Sequence, residues 1–398
     1  MSPSKIDQLI RSLTFLLLLL ISVEGLAQEK SQPLVKSKYV VPKLSTFSKQ
    51  LKGYGLASDI AYQKKNTYGR ETFFLLASSK STVLNQELAS GLKPLIVQAS
   101  IKKNQFYFEQ VIPLDFSDLK RPGKYTLDLE GLALAPDKIA WVADESSPAL
   151  YQLNIESGQV LSGLWPGHGL PEYLKKSPKN RGFEGLAVFP NGDLLMSLQS
   201  VLKQDLKSKQ STEQESFIRI LRYNPTTKIT TTYAYPITLG SYQSLGAVKI
   251  GALQIVDNQS FLVLEHGRSA NQQFLSQVFQ VNISSKVGSE ATNVSKLSDQ
   301  LLSSVQKTPI LNLAELGWRY KKSEGLTFFG DSSVLALVND ASGKEATEIW
   351  MVELAQPIIK MGAVGKTILW ITLLVFAGFF YFVLRLVLSK GFFVNTKS

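Results

Sequence analysis

One short pattern recurs along this chain: a carboxylate, a glycine and a leucine open an apolar run, then come a tight turn and a second apolar run. Glu130-Gly131-Leu132 leads into ALAP, KIAWVADE and ALYQLNI. Glu184-Gly185-Leu186 leads into AVFP, the turn Asn191-Gly192-Asp193, LLMSLQS, FIRILRYN and ITTTYAYP. Glu324-Gly325-Leu326 leads into TFF, GDSS, VLALVND and EIWMVEL. Two weaker copies read GALQIVDNQSFLVLEHG with QVFQVNI, and GLASDIAY with TFFLLASSK. Short β-rich runs divided by Gly, Asn, Asp and Pro are strands joined by turns. A single sheet of this size cannot bury both faces, and stacking successive sheets around an axis solves that problem. The pattern predicts an all-β chain, a β-propeller of five or six blades, with residues 92–115 as the source of a sixth. A β-sandwich is the competing architecture, but sandwiches rarely repeat a motif at the same strand. Short helical pieces are expected at Leu170–Lys176 and Asn293–Ser304, and the polar stretch Lys203–Glu215 reads as a surface loop because it lacks an apolar face.

The ends of the chain differ from its middle. Lys5 and Arg11, the apolar run Leu13–Val23 and the small residues Gly25 and Ala27 read as a signal peptide over residues 1–27; an uncleaved N-terminal anchor is the alternative. From Thr367 to Leu384 there is no charge, and Val387 and Leu388 extend the run toward the roughly 20 residues that cross a bilayer. Basic residues flank it on both sides, and Trp370 and Tyr381 suit the interfaces. The expected organisation is therefore an extracytoplasmic propeller domain over 28–356, a linker over 357–366, a single transmembrane helix over 367–388 and a cytoplasmic tail over 389–398. This places the propeller on the periplasmic or cell-surface side, with the membrane as a partner through the C-terminal helix. A buried core helix is the alternative reading of the apolar run.

Composition then removes whole classes of chemistry. The chain has no cysteine, which excludes thiol nucleophiles, disulfides and thiolate metal sites. With only His168 and His266, a multi-histidine metal centre is disfavoured. The net charge of +11 invites a nucleic-acid reading. However, the lysines are scattered, with no basic run interleaved with stacking aromatics, and seven of the 43 basic residues lie in the two end segments. No nucleic-acid partner is expected. Gly-x-Ser-x-Gly and P-loop motifs are absent.

What remains is oxygen chemistry. Innermost propeller strands line the central channel, so Glu130, Glu184 and Glu324 are expected around one mouth. Asp144, Glu145, Glu265 and Asp340 end the next strand of their units and approach the same face. Such a cluster can bind a hard cation such as Ca²⁺, supply a general acid or base, or accept backbone hydrogen bonds and lock blades together. Arg181 reads as an anchor for an anionic substrate or as an ion pair between blades. Gln199 reads as a ligand-orienting group or a partner for a channel carbonyl. His266, beside Glu265, is a lone imidazole with no evident serine partner, and His168 sits in a Gly/Pro-rich loop.

NRGFEGLA at Asn180–Ala187, LQS at Leu198–Ser200 and the LEGLAL…WVADE run at Leu129–Glu145 resemble the phytase-like family known as "esterase-like activity of phytase", a propeller family of exported bacterial proteins. The resemblance spans roughly Gly55 to Leu354, and SEGLTFF…LALVND is similar to the family's closing repeat. Three positions depart from the family pattern: Ser78-Ser79-Lys80, Ala341-Ser342-Gly343 and Glu265-His266 thin its acidic ring. The resemblance implies ester or phosphoester hydrolysis; on the reading of the carboxylate cluster above, Glu130, Glu184, Glu324 and Arg181 are the expected catalytic positions, and Glu130, Glu184, Glu265, Glu324, Asp144 and Asp340 the expected ligands to a cation such as Ca²⁺. A lactonase similar to other calcium propellers is a narrower version. The competing expectation is a non-catalytic propeller of the cell envelope that binds a ligand or an envelope protein.

Overall fold

The computed structural model describes residues 32–63, 70–202, 205, 216–237, 242–243, 248–283, 305–340, 346–355, 358 and 378. The expected signal peptide, the helical piece at Asn293–Ser304 and nearly all of the expected transmembrane segment lie outside these residues. Among the described residues no helix is long and apolar enough to cross a membrane.

Among the described residues the repeated units form five sheets, antiparallel except for a short parallel pair of Val160–Pro166 with Gly169–Leu170. The first contains Gly55–Gln63, Glu71–Ser78, Leu95–Lys102 and Gln105–Pro113, in that order from inside to outside. Residues 92–115 thus complete this first sheet rather than building a sixth, because Leu95–Lys102 pairs directly with Glu71–Ser78. The third sheet runs Phe183–Val188, Leu194–Leu198, Ser216–Asn224 and Ile229–Ile237. The fourth runs Lys249–Asp257, Ser260–Arg268, Phe274–Ile283 and Val305–Asn312. Gly325–Phe329, Asp331–Val338 and Thr347–Glu353 make the fifth, and its outermost strand, Leu34–Val41, comes from the other end of the chain.

The second sheet is larger. Its inner strand, Lys124–Leu134, is long enough to serve two partners. Leu129–Leu134 pairs with Ile139–Asp144, which continues outward through Ala149–Asn154 and Val160–Pro166. Lys124–Asp128 pairs instead with Lys80–Leu84, the first arm of a hairpin completed by Glu87–Gly91. The expected helical piece after Leu170 is a 3₁₀ helix over Glu172–Lys176.

The five inner strands meet in cyclic order, first to second and so on, and the fifth meets the first. Apolar side chains fill the spaces between adjacent sheets. Leu76, Ile96, Leu127 and Leu132 lie between the first and second, and Leu264, Leu311, Leu335 and Trp350 between the fourth and fifth. This is an all-β propeller: each sheet is covered on both faces by its neighbours, which explains strands as continuously apolar as Leu194–Leu198.

The glycine of the repeated motif is a packing requirement. A Cβ on Gly131 would lie 2.5 Å from the carbonyl oxygen of Glu184 in the next sheet, and one on Gly325 would lie 3.0 Å from the Ile60 nitrogen in the first. Inner strands approach each other too closely for any side chain there. At the same place the ladder registers slip, between Leu129 and Gly131, Phe183 and Leu186, Ile250 and Ala252, and Leu56 and Asp59. Such a bulge re-aims the neighbouring side chain.

Candidate carboxylate site

The bulges sit beside the motif carboxylates, and the ring order brings three of those carboxylates together. Glu130, Glu184 and Glu324 each offer an oxygen, all within 4.8 Å of one another, and all three residues are buried. In the same position the fourth sheet has Gly251, and the first has Ser58 followed by Asp59. Asp59 illustrates the purely structural use of such a group. Its Oδ1 accepts from the Ile60 N–H at 2.8 Å and its Oδ2 from the Leu132 N–H at 2.7 Å, tying the first sheet to the second. Glu130 is different: its Oε2 is buried with no hydrogen-bond partner. An unpartnered buried carboxylate oxygen is costly unless something occupies the space it faces.

The electrostatics follow from burial and crowding. Burial first, then the neighbouring Glu324 and Glu184, push the Glu130 carboxyl well above its usual range. Glu184 is raised in the same way, by burial and then by Glu324 and Glu145, while the hydrogen bond from Gln199 opposes the rise. Glu324 reaches about 8, through burial and Asp340, against the favourable charge of Lys322. Three carboxyls this close cannot all ionise without a compensating cation.

Around this trio stand partners of both signs. Lys322 Nζ lies 3.1 Å from Glu324 and 2.9 Å from Asp340; burial would lower its pKa, but these carboxylates and Glu130 hold it above the usual lysine value. Asp340 therefore reaches the cluster through Lys322. Arg181, about one-third exposed at the mouth, donates to Gln199 Oε1 and to the carbonyl of Asn180, with Glu145 Oε1 3.6 Å away. Gln199 in turn donates to Glu184 Oε2 at 2.8 Å.

Two of the expected ligands are engaged elsewhere. Asp144 accepts from the backbone N–H groups of Asp128 and Ser146 at 3.1 and 2.9 Å and faces Arg121 at 3.8 Å. Burial raises it to about 8 in spite of Arg121. Glu265 is fully buried among Tyr235, Tyr242 and Lys307, all of which donate to it. Asp144 ends the strand Ile139–Asp144, whereas Glu265 lies inside Ser260–Arg268, and each is held by the partners just named rather than by the glutamate trio. His266 is also buried; desolvation, then Lys249 and Lys322, lower it to about 3, so it is neutral and a poor proton acceptor. His168 stacks on Trp165 away from the cluster.

A second acidic group joins the first. Asp128, Glu130 and Glu145 also offer oxygens within 4.8 Å of one another, and all are buried. Glu130 belongs to both groups. Asp128 and Lys322 are absent from the sequence expectation; each lies two residues before a motif glutamate, Asp128 within Lys124–Leu134 and Lys322 just ahead of Gly325–Phe329.

A model of the phytase-like family, "esterase-like activity of phytase", matches residues 55–341. No curated protein matches the chain. Among solved structures it is similar to a beta-1,2-mannobiose phosphorylase from Listeria innocua, at 13% identity over 76% of this chain and 91% of that one, with a TM-score of 0.41. It is similar to a glutaminyl cyclase from Myxococcus xanthus at 10% identity, over 83% and 98%, with a TM-score of 0.36. A hypothetical protein from Leishmania major gives 9% identity over 81% and 91%, with a TM-score of 0.37. Likenesses at this level extend to neither substrate nor site.

Proposed function

The chain belongs to the phytase-like propeller family, and from that premise we propose that it hydrolyses ester or phosphoester bonds at the mouth of its channel, with a hard divalent cation such as Ca²⁺ held by Glu130, Glu184 and Glu324. The observation that carries this reading is the meeting of three buried glutamates, one of which has an unpartnered oxygen. The donor set fits the ion: every group is a carboxylate oxygen, the ligand that Ca²⁺ prefers, and oxygens up to about 4.8 Å apart can share a cation at roughly 2.4 Å.

A bound cation would polarise the ester oxygen and acidify a water. The remaining roles fall to the chain's own side chains. Arg181, exposed at the mouth and linked through Gln199 to Glu184, is placed to hold the anionic part of a substrate. Glu324, charged once it helps hold the cation, serves as a ligand rather than as a proton donor. Lys322 fixes its orientation. The absence of cysteine leaves oxygen groups to do this work.

The same reading places the propeller outside the cytoplasm, anchored by the apolar segment 367–388; its support is the sequence of the two chain ends.

The test uses the full-length protein, stripped of metal by chelation and reloaded with Ca²⁺, against a panel of phosphate and carboxylic esters. Turnover should require the cation and disappear in Glu130→Gln, Glu184→Gln and Glu324→Gln while the fold survives. Cation binding without turnover on any ester would favour the alternative, a non-catalytic ligand- or protein-binding propeller of the cell envelope. The near-complete burial of Glu184 and Glu324 is the observation on its side.

A further inference from the structure

The motif glutamates stand near the start of the inner strands, and the second halves of those strands enclose a different environment. All five, from Ile60 in the first sheet to Phe328 in the fifth, line a cavity of about 310 Å³ at the far end of the channel. Among the described residues no charged side chain lines it, and Ala61, Ala133, Ala187 and Thr327 form a level of small side chains that leaves it open. Its polar groups are engaged locally. The Thr327 hydroxyl accepts from the Tyr62 N–H at 3.3 Å, and Gln254 donates to the Ile255 carbonyl at 3.0 Å.

The outer strands repeat this polarity. Leu34, Tyr107, Leu161 and Ile229 are exposed, one each near the outer edge of the fifth, first, second and third sheets. Each lies in the first three residues of its strand. Outer strands begin where inner ones end, because successive strands of these sheets run antiparallel, so all four side chains ring the end where the cavity opens. Single exposed apolar side chains are ordinary; four at one level around an apolar opening make a face. The other exposed large apolar side chains, Val40, Phe47, Leu84 and Leu88, lie toward the carboxylate mouth. Charges at the cavity end are mixed. Lys36 pairs with Glu353, Lys138 with Glu156 and Arg222 with Asp193, and the turns add Lys102, Lys103 and Lys228 against Asp137 and Asp257.

The last strand also finishes at this end. Leu354, directly after it, donates its N–H to the Ser333 carbonyl at 2.8 Å, three residues from Gly330 in the cavity lining. Ile358 still packs in the wall between the fourth and fifth sheets. The apolar run begins nine residues later at Thr367, a gap that extended chain spans by about 30 Å at most. We infer that the cavity end of the propeller is a membrane-docking face, on which Leu34, Tyr107, Leu161 and Ile229 enter the bilayer interface while the carboxylate mouth opens to water. The inference rests on the reading of 367–388 as a membrane anchor. Apolar side chains at the rim of a rigid body bind an interface through the area they bury. With charges this balanced, anionic lipid adds little. Whatever reaches Glu130, Glu184 and Glu324 then arrives from the aqueous side, as a dissolved ester and not as a bilayer lipid.

Because the chain has no cysteine, one introduced thiol can be labelled uniquely. Thr226→Cys and Asn258→Cys, in turns at the docking end, and Lys179→Cys, beside the mouth, each carry a fluorophore on the full-length chain in phosphatidylcholine vesicles. A nitroxide on the lipid headgroup should quench the first two at least about threefold more than the third. Added phosphatidylglycerol or salt should change this little. Leu34→Ser, Tyr107→Ser, Leu161→Ser and Ile229→Ser combined should erase the difference while the protein still floats with the vesicles, held by 367–388. Equal quenching at all three sites, or stronger quenching at Lys179→Cys, in protein that floats overturns the docking face and leaves the anchor standing. Protein that does not float removes the anchor and the docking face with it. Shielding of Thr226→Cys that follows protein concentration and not the nitroxide assigns the face to a second copy of this chain and overturns the membrane reading.

Discussion

Gln199 donates its side-chain amide to Glu184 Oε2 at 2.8 Å while accepting from Arg181 with its carbonyl oxygen. A residue at the mouth is thereby coupled to one inside the channel. Gln199→Leu should sever that coupling with little change in volume. A hydrogen bond to a buried charged group is worth about 1.5–3 kcal/mol, so ester turnover should fall roughly ten- to a hundredfold. The apparent pKa of Glu184 should rise further, because the bond now holds it down. A pH–rate profile on wild type and variant reads both effects.

Stability should depend on pH in a direction opposite to the usual carboxylate case. Glu324 titrates near 8 and Glu145 near 7, each raised first by burial and next by a like charge, Asp340 and Asp128 respectively. Between their ordinary value of 4.5 and these raised values the folded chain keeps protons that the unfolded chain has lost. Stability therefore falls as pH rises through that window. In chelator, the thermal midpoint should be higher at pH 5 than at pH 8. Saturating Ca²⁺ should flatten the decline, since a cation favours the charged carboxylates. A midpoint that climbs from pH 5 to 8 in chelator would contradict this.

Glu265 and the channel glutamates should respond differently to the same substitution. Glu265→Gln disturbs a buried pair with Lys307 and two tyrosine hydroxyl bonds. Its cost should appear in thermal stability, about 3 kcal/mol or more for a broken buried pair, with Ca²⁺ binding unchanged. Glu184→Gln should show the reverse. Parallel melting curves and calcium titrations distinguish them.

Gly131→Ala should be destabilising by about 1–3 kcal/mol, the range for overpacking a close contact, because the added methyl meets the Glu184 carbonyl. Gly123→Ala makes a useful contrast. Among the described residues no atom beyond its chain neighbours lies within 4 Å of its Cβ position, and its positive φ of 83° opposes the change. Denaturant midpoints of the two variants compare backbone crowding with conformational strain.

Asp205 forms a buried ion pair with the third sheet. It makes two 2.7 Å bonds to Arg219, and both side chains are essentially inaccessible. Asp205→Ala removes the carboxylate that balances a buried guanidinium and should cost about 3–5 kcal/mol. Lys36→Ala, which removes an exposed pair with Glu353, should cost less than about 1 kcal/mol.

The contrast between legible and illegible residues is physical. The Glu-Gly-Leu repeat shows in the sequence because ring geometry demands the same solution at each inner strand: a glycine for close approach and a side chain re-aimed by a bulge. Hence Glu130, Glu184 and Glu324 could be placed together without coordinates. Asp144 and Glu265 look equivalent to one another and to Asp340 in the sequence, since each follows the second apolar run of its unit. Their fates differ because Arg121, Lys307 and Lys322 arrive from elsewhere in the chain. Lys80 was least legible. It reaches Asp128 only because Lys80–Leu84 leaves its own sheet to pair with the next, an event no local pattern encodes. The mistaken sixth blade has a related origin: Leu95–Lys102 carries the pattern of a new unit but returns across that hairpin to its own sheet.

The strand Leu34–Val41, paired residue by residue with Thr347–Glu353, also sets the order in which the molecule can be made. During synthesis this segment emerges first, and its partner emerges last among the strands described. Until then four sheets can stack as an open arc, with apolar faces at both free ends. The closing pair joins residues more than 300 positions apart, as the Lys36–Glu353 contact does, so loop-closure entropy falls on the final step. The slow phase of folding should therefore be ring closure, and an early-emerging strand must wait unpaired, with its edge exposed to other chains, until translation has nearly finished.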